Sequence, residues 1–386
     1  MKKILLYAGA AIVSFAVVYF LKFQRPTGYS ASIVPEKFDS AAIQQKQAMI
    51  FSLDTFFTNR SIENGFSGSV LVSVKGEPVY EKCFGYCNYR NKDLMHDTAS
   101  FQLASVSKTF TATAILYLIE KDLLSLNDSL QKFFPKLPYK GITIQQLLCH
   151  RSGLPNYLYF ASGKCNKGQY LSNNDVIELM IKEKPAVAAK PNKKFEYCNT
   201  NYLLLASIAE KVTGKSFKDF MQETFFTPLG MHHSFVYDYR DSVESKIAVS
   251  YNSKWQIQYD DCFDGVTGDK GIYSTVHDMF LWDKAFYEGK ILSQEMMAEA
   301  YKPRSFEKPG IRNYGYGWRL IQKPDSTYLV YHNGWWHGNN TVFSRNIQDT
   351  TAVIILSNKY NRYVYNVKPV WAIIYGAGNT LSESDE

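Results

Sequence analysis

Ala104-Ser105-Val106-Ser107-Lys108-Thr109-Phe110 sets a serine and a lysine three residues apart at the head of an apolar segment. On a helix, positions i and i+3 share a face. The S-x-x-K spacing therefore brings the Lys108 amine beside the Ser105 hydroxyl by backbone geometry alone. A serine hydroxyl is almost wholly un-ionised near neutral pH and needs a neighbour to take its proton before it attacks a carbonyl. The head of a helix also favours developing negative charge. Downstream, Phe110, Ala114, Ile115, Leu118 and Ile119 repeat at helical spacing, no Gly or Pro interrupts, and Glu120-Lys121-Asp122 closes the run. Upstream, Phe101-Gln102-Leu103-Ala104 reads as a short extended lead-in. A bare S-x-x-K is a common chance pattern on solvated helices, so the rest of the chain must decide.

Two further constellations follow. Tyr197-Cys198-Asn199 comes after Lys194-Phe195-Glu196, and His332-Asn333-Gly334 comes after the strand-like run Tyr328-Leu329-Val330-Tyr331. A Tyr-x-Asn element offers a phenol as proton relay and an amide to hold substrate. A hydrogen-bonding side chain on a strand, with Gly two residues on, lets a substrate backbone approach that strand closely.

S-x-x-K, Y-x-N and H-x-G in this order resemble the class C β-lactamase and D-alanyl-D-alanine carboxypeptidase superfamily. Supporting stretches are Leu147-Leu148-Cys149-His150-Arg151-Ser152-Gly153-Leu154, Thr227-Pro228-Leu229-Gly230-Met231, Gly271-Ile272-Tyr273-Ser274-Thr275 with Asp278 and Trp282, Tyr314-Gly315-Tyr316-Gly317-Trp318, and Leu356-Ser357-Asn358. The resemblance implies an α+β, β-lactamase/transpeptidase-like fold, with an antiparallel sheet flanked by helices and an inserted helical lobe. It makes Ser105 the acylated nucleophile, Lys108 its proton acceptor and Tyr197 the proton shuttle. It makes Asn199, His332, Gly334 and Trp335 the substrate-binding residues, with the N–H groups of Ser105 and Trp335 as the oxyanion hole. No cofactor and no metal are implied.

Two departures stand out. His332 occupies the place where many β-lactamases carry the Lys of K-T-G. A His is mostly neutral above about pH 6.5, so efficient β-lactam hydrolysis is not expected, and activity should fall below about pH 6 if His332 must be neutral. Second, Trp335, Trp336 and His337 follow where small residues are usual; the rings either narrow the cleft or pack on a sheet face. Among other candidates, His150 reads as a structural residue fixing the loop beside the site. His337 either touches substrate or packs. His232-His233 lacks an acidic partner at zinc-like spacing, and Cys198 reads as a small apolar filler.

The chain has 386 residues, 46% apolar and 15% aromatic, enough for a large core. Lys2-Lys3 and Lys22 with Arg25 flank an apolar run from Ile4 to Leu21, about the length that spans a bilayer. The run ends in Val18-Tyr19-Phe20-Leu21-Lys22, a poor cleavage site, which favours an uncleaved signal anchor over a cleaved signal peptide. Those four cations supply most of the net charge of +7. The remainder is too small to imply an anionic partner, and no basic stripe with interleaved aromatics points to nucleic acid. The expected partners are an acyl substrate and, through the N-terminal helix, a membrane, with the catalytic part outside the cytoplasm. The expected organisation is an anchor at 1–25, a tether at 26–34, a two-lobed catalytic domain at 35–378 with its helical lobe at about 126–265, and a flexible tail at 379–386.

Within the domain, residues 35–59 read as a helix with Ala42, Ile43, Met49, Ile50, Leu53 and Phe57 as its buried face. Gly68 to Val74 reads as a buried strand that Lys75-Gly76-Glu77 turns into a hairpin. Strands return at 317–321, 328–331, 341–345 and 352–357, and a last helix covers 363–375. Of six cysteines, Cys83 and Cys87 on one strand would be about 13 Å apart, beyond bridging reach. Cys149, Cys198 and Cys262 read as core positions, so mostly free thiols are expected. The functional expectation is an extracytoplasmic serine hydrolase acting through an acyl-enzyme on a D-amino-acid peptide, β-lactam or ester. A non-catalytic penicillin-binding or sensor protein on the same fold is the alternative, and the intact Ser105, Lys108, Tyr197 and Asn199 argue against it.

Overall fold

The computed structural model describes residues 40–165, 168–241, 247–307 and 310–376. The expected anchor, tether and tail lie outside the described residues. Among the described residues no helix is long and apolar enough to cross a membrane. The chain divides into Met1–Lys46 and Gln47–Glu386. Of the first unit only the opening turns of the helix Ser40–Asn64 are described.

That helix, described from Ser40, runs further than its apolar spacing predicts, because nothing breaks it before Gly65, which adopts φ +63°. Leu53 and Phe57 are buried, while Ile43 is 45% exposed. The expected buried face therefore holds only over its second half. After Gly65 the chain enters a seven-stranded sheet. In chain order the strands are β1 Gly68–Val74, β2 Glu77–Phe84, β3 Arg312–Tyr314, β4 Arg319–Gln322, β5 Tyr328–Trp336, β6 Asn339–Asn346 and β7 Thr351–Ser357. Their spatial order is β2-β1-β7-β6-β5-β4-β3, antiparallel throughout. The early hairpin thus joins the late strands through β1 and β7, where Gly68 faces Ser357.

Strand alternation divides the apolar residues between two cores. Val70, Val72, Val353 and Ile355 face one with Leu53, Phe57 and Trp371; Leu71, Phe343, Ile354 and Leu356 face the other with Phe110 and Trp282. The second, larger core contains the helix Ser107–Glu120, buried on nearly every side. Phe110 stacks on Trp282 at 4.2 Å between ring centroids. Being enclosed, this helix is rigid, and the residues at its head are held in place. A small sheet of Phe101–Gln102, Ile272–Ser274 and Phe235–Val236 fixes the lead-in to it.

Three expectations are corrected. The last helix is split into a 3-10 turn, Arg362–Tyr365, and an α-helix, Lys368–Tyr375, because Pro369 has no N–H to continue the ladder and restarts it from the first turn. β5 runs on to Trp336, so the His332 motif lies inside a strand rather than after one. Cys262 is not free: it is bonded to Cys165 across 97 residues, with Cα atoms 6.1 Å apart. That pairing is invisible in the sequence because it depends on a loop at 161–165 folding onto the 3-10 turn Cys262–Gly265. Cys83, Cys87, Cys149 and Cys198 are free.

Candidate active site

Ser105 sits in a 3-10 turn, Ala104–Val106, between the strand Phe101–Gln102 and the helix Ser107–Glu120. Ala104 adopts φ +50°, the left-handed region that a side-chain-bearing residue enters at a cost. Its surroundings hold it there. The Leu103 N–H donates to the Ile272 carbonyl at 2.8 Å, and the Thr341 hydroxyl donates to the Leu103 carbonyl at 2.7 Å. Gly334 completes the clamp. A Cβ on it would lie 2.3 Å from the Leu103 carbonyl oxygen and 3.1 Å from the Ala104 Cβ. The glycine of H-x-G therefore admits the protein's own Ala104–Ser105 turn, where the sequence suggested that it admits substrate.

Lys108 is fully buried beneath Ser105. Its Nζ donates to Ser105 Oγ at 3.1 Å and to the Asp269 carbonyl at 2.7 Å. The same Nζ lies 5.1 Å from the centre of the Tyr197 ring. Tyr197 comes from the far side of the helical region, just before the helix Asn199–Thr213. His150 places it. Fully buried and at φ +56°, His150 accepts the Cys198 N–H on Nδ1 at 3.2 Å, its carbonyl accepts the Glu196 N–H at 2.8 Å, and its ring lies 4.4 Å from that of Tyr197. Burial, then the charge of Lys108, holds the His150 imidazole well below its ordinary pKa, so it stays a neutral acceptor.

Ser105, Tyr197, Asn199, Gly334 and Trp335 line one cleft of about 570 Å³. Among the described residues the buried Asn199 side-chain oxygen has no hydrogen-bond partner and is available for a ligand N–H. Trp335 is 62% exposed at the mouth, 5.9 Å from the Tyr360 ring. His332 departs from the expectation that it binds substrate. Its ring is fully buried and does not line the cleft; Nδ1 meets the Asn333 carbonyl at 2.8 Å and Nε2 meets the Tyr314 hydroxyl at 3.2 Å. The alternation of β5 turns it under the site. Burial first, then Arg319 and Lys108, push its pKa well below 6.5. Its neutral form is therefore favoured, and any acid limb it contributes lies lower than the sequence suggested.

The cation of this wall is Arg319, which sequence reasoning missed. It lies on β4, lines the cleft, and carries its guanidinium carbon 5.2 Å from the Tyr197 ring centre. Burial opposes its charge, yet the phenols of Tyr197, Tyr331 and Tyr314 outweigh burial and hold the proton more tightly. A lone arginine beginning a strand directly after Tyr314-Gly315-Tyr316-Gly317-Trp318 was the available signal. Asp269 and Lys270, also lining the cleft, stand directly before Gly271-Ile272-Tyr273-Ser274-Thr275 and were equally unread. Lys270 Nζ donates to the Tyr157 hydroxyl at 2.7 Å, which donates to Asp269 Oδ2 at 2.9 Å. A cluster of Asp260, Asp264 and His337 has the donor types for a cation. Asp264, however, already accepts from Gln102 Nε2, Trp336 Nε1 and the Asp261 N–H.

Comparison with known proteins gives a consistent picture. The family model described as Beta-lactamase matches residues 53–373. Penicillin-binding protein 4* of Bacillus subtilis is 32% identical over 321 residues, covering 80% of this chain and 71% of that protein. Among solved structures, the octameric penicillin-binding protein homologue from Pyrococcus abyssi superposes with TM-score 0.73 at 26% identity, over 85% of this chain and 77% of that one. The D-amino acid amidase from Ochrobactrum anthropi SV3 shares the fold, with TM-score 0.69 at 23% identity over 87% of this chain and 99% of that one.

Proposed function

Because the chain belongs to the β-lactamase family, we propose that it is a serine hydrolase that forms an acyl-enzyme on Ser105, with D-amino-acid peptides of cell-wall type or related esters as substrates. The observation that carries this reading is the 3.1 Å contact of Lys108 Nζ with Ser105 Oγ in a cleft that Tyr197 also lines. Lys108 takes the Ser105 proton as Oγ bonds to the substrate carbonyl carbon. Tyr197 delivers a proton to the leaving group as its bond to that carbon breaks. Water then attacks the ester, and the proton returns to Oγ as the acid departs.

Arg319 supports a leaving group that carries a carboxylate, as the last residue of a peptide does. A guanidinium binds a carboxylate through two parallel hydrogen bonds. His332, neutral and out of the cleft, does not supply that cation, so slow β-lactam turnover is expected. The basic-apolar-basic run at 2–25 supports a membrane tether with the catalytic part outside the cytoplasm. The test is mass spectrometry after treatment with a fluorophosphonate and with benzylpenicillin. An adduct on Ser105, absent from Ser105→Ala, is the expected result. An adduct that persists in that variant, or that forms with neither reagent, would defeat the proposal.

A further inference from the structure

Another part of the cleft lining is organised by one buried carboxylate. Asp264 is 2% exposed and receives four donors. Oδ1 accepts from Gln102 Nε2 at 3.2 Å and Trp336 Nε1 at 2.8 Å. Oδ2 accepts from the Asp261 N–H at 2.8 Å and lies 2.8 Å from His337 Nε2. Two consecutive residues of the cleft wall, Trp336 and His337, are thus held by a single group. His337 adopts φ +51° to reach it, and the next N–H, of Gly338, is tied to Ser250 Oγ at 2.9 Å. With Nε2–H committed to Asp264, the ring's other nitrogen, Nδ1, points away from the carboxylate and makes no hydrogen bond among the described residues, on a side chain that lines the cleft. A buried, fully donor-satisfied aspartate that aims an imidazole into a ligand cavity is a positioning device.

We propose that His337, oriented by Asp264, is a specificity-determining residue that donates from Nδ1 to a neutral carbonyl on the acyl part of the substrate, beyond the amide that Asn199 holds. The inference rests on the acyl-transfer reading of the cleft and gives its acyl site a chemical preference: peptidyl groups over hydrocarbon acyl groups. The surrounding charges select a carbonyl rather than a carboxylate. Asp264 is neutralised by His337, and Asp269 by Lys270 and the Tyr157 hydroxyl. Asp261, exposed and lining the cleft, repels an anion, and exposed Asp260 stands next to it in the chain. The groups facing His337 are Asp264, Asp261 and Asp260 from the 260–265 turn, with Lys270 beyond Trp336, 4.8 Å from its ring centre. Burial opposes protonation of His337, but the hydrogen bond to Asp264 and the three carboxylates outweigh it and raise its pKa above 6.5. Below that pKa Nδ1 carries the donated proton; above it Nδ1 is a bare acceptor and the contact is lost.

The experiment uses two ligands of equal length, N-acetylglycyl-D-alanine and N-pentanoyl-D-alanine, which differ only in the second amide. Binding of both acids to Ser105→Ala is measured by tryptophan fluorescence and calorimetry, and hydrolysis of their p-nitrophenyl esters is measured on the unaltered catalytic serine. The expected result is about tenfold preference for the acetylglycyl ligand, the worth of one hydrogen bond from a charged donor, fading as pH rises through the His337 titration. His337→Phe should bring the ratio near one. His337→Gln should keep part of it with no pH dependence. Asp264→Asn should move the loss of preference to lower pH. Equal effects of His337→Phe on both ligands, or a pH-independent ratio in the unmodified wall, would overturn the proposal. So would zinc or manganese binding that His337→Phe abolishes, since the imidazole would then be a metal ligand. Because the binding arm needs no acyl-enzyme, failure of hydrolysis alone would count against the catalytic reading and leave this ratio to be read.

Discussion

The two walls of the cleft are built by opposite means. The wall that carries Ser105, Lys108 and Tyr197 uses short sequence spacings on rigid elements. Ser105 and Lys108 are one helical turn apart on an enclosed helix, and Tyr197 sits two residues before Asn199 at the start of another. The opposite wall uses long-range convergence. Trp336 and His337 from β5 and its turn, Gln102 from the small sheet, and Asp261 all meet on Asp264. The first arrangement places the groups that exchange protons in the proposed acyl transfer, where small errors in distance are costly. The second places groups that shape what is admitted, and it can change with one side chain.

The largest effect should come from removing the nucleophile. Ser105→Ala is expected to lower kcat by about 10⁴-fold or more, with Lys108→Met close behind, since residues acting as a unit each cost most of the rate. Stopped-flow and steady-state assays check this; near-normal rates in either variant would mean that the first wall is not the catalytic one.

Next is the Cys165–Cys262 bridge, which secures the 3-10 turn that bears Asp264. Its loss through Cys165→Ser is expected to cost about 2–4 kcal/mol of stability in the chain-entropy account. Because the turn that bears Asp264 is tied directly to it, KM for peptidyl donors should rise more than kcat falls. A reverse pattern, read by steady-state kinetics with and without reductant, would erase the distinction between the walls.

Gly334→Ala sharpens it from the other side. The added Cβ meets the Leu103 carbonyl oxygen at 2.3 Å. Overpacking of that kind costs about 1–3 kcal/mol and should displace the Ala104–Ser105 turn, lowering kcat and the melting temperature together.

The smallest effect concerns pH. His150 and His332 have folded pKa values pressed well below 6.5 by burial. The unfolded chain therefore binds more protons than the folded one between those values and about 6.5. Stability is fully present above pH 6.5 and falls as pH decreases through that window, by up to about 1.4 kcal/mol per pH unit for each histidine. Urea melts of the protein and of His332→Gln at pH 5 to 7.5 should show the slope flatten in the variant. His337 has the opposite sign: its folded pKa is raised, so its contribution is present below about pH 6.5 and is lost as pH rises through the folded value.

Much of the first wall was legible in the chain because local geometry encodes it. An i, i+3 pair, a Tyr-x-Asn before a helix, and apolar runs of period 3.6 or 2 each carry their own structural consequence. His332 was misread as a substrate contact because register decides which strand residues face a cleft, and a motif letter does not carry register. Arg319 escaped notice because its importance comes from β4 lying beside β5, where Arg319 pairs with Tyr331. The helix at 40–64 was found but its buried face was overextended, since periodicity reports which side is apolar and not how far a packing partner reaches.

The chemistry on offer is written in the chain: a serine with an amine one turn away, a phenol and an amide to follow, and enough apolar surface to enclose them. Tertiary structure alone decided which groups share the cavity. It sent His332 below the floor and brought Arg319 up to Tyr197. It closed Cys165 on Cys262 and joined Gln102, Trp336 and His337 at one carboxylate. The physical reason is that a burial pattern fixes elements over a few residues, whereas a buried charge is tolerable only where donors from distant segments converge to satisfy it.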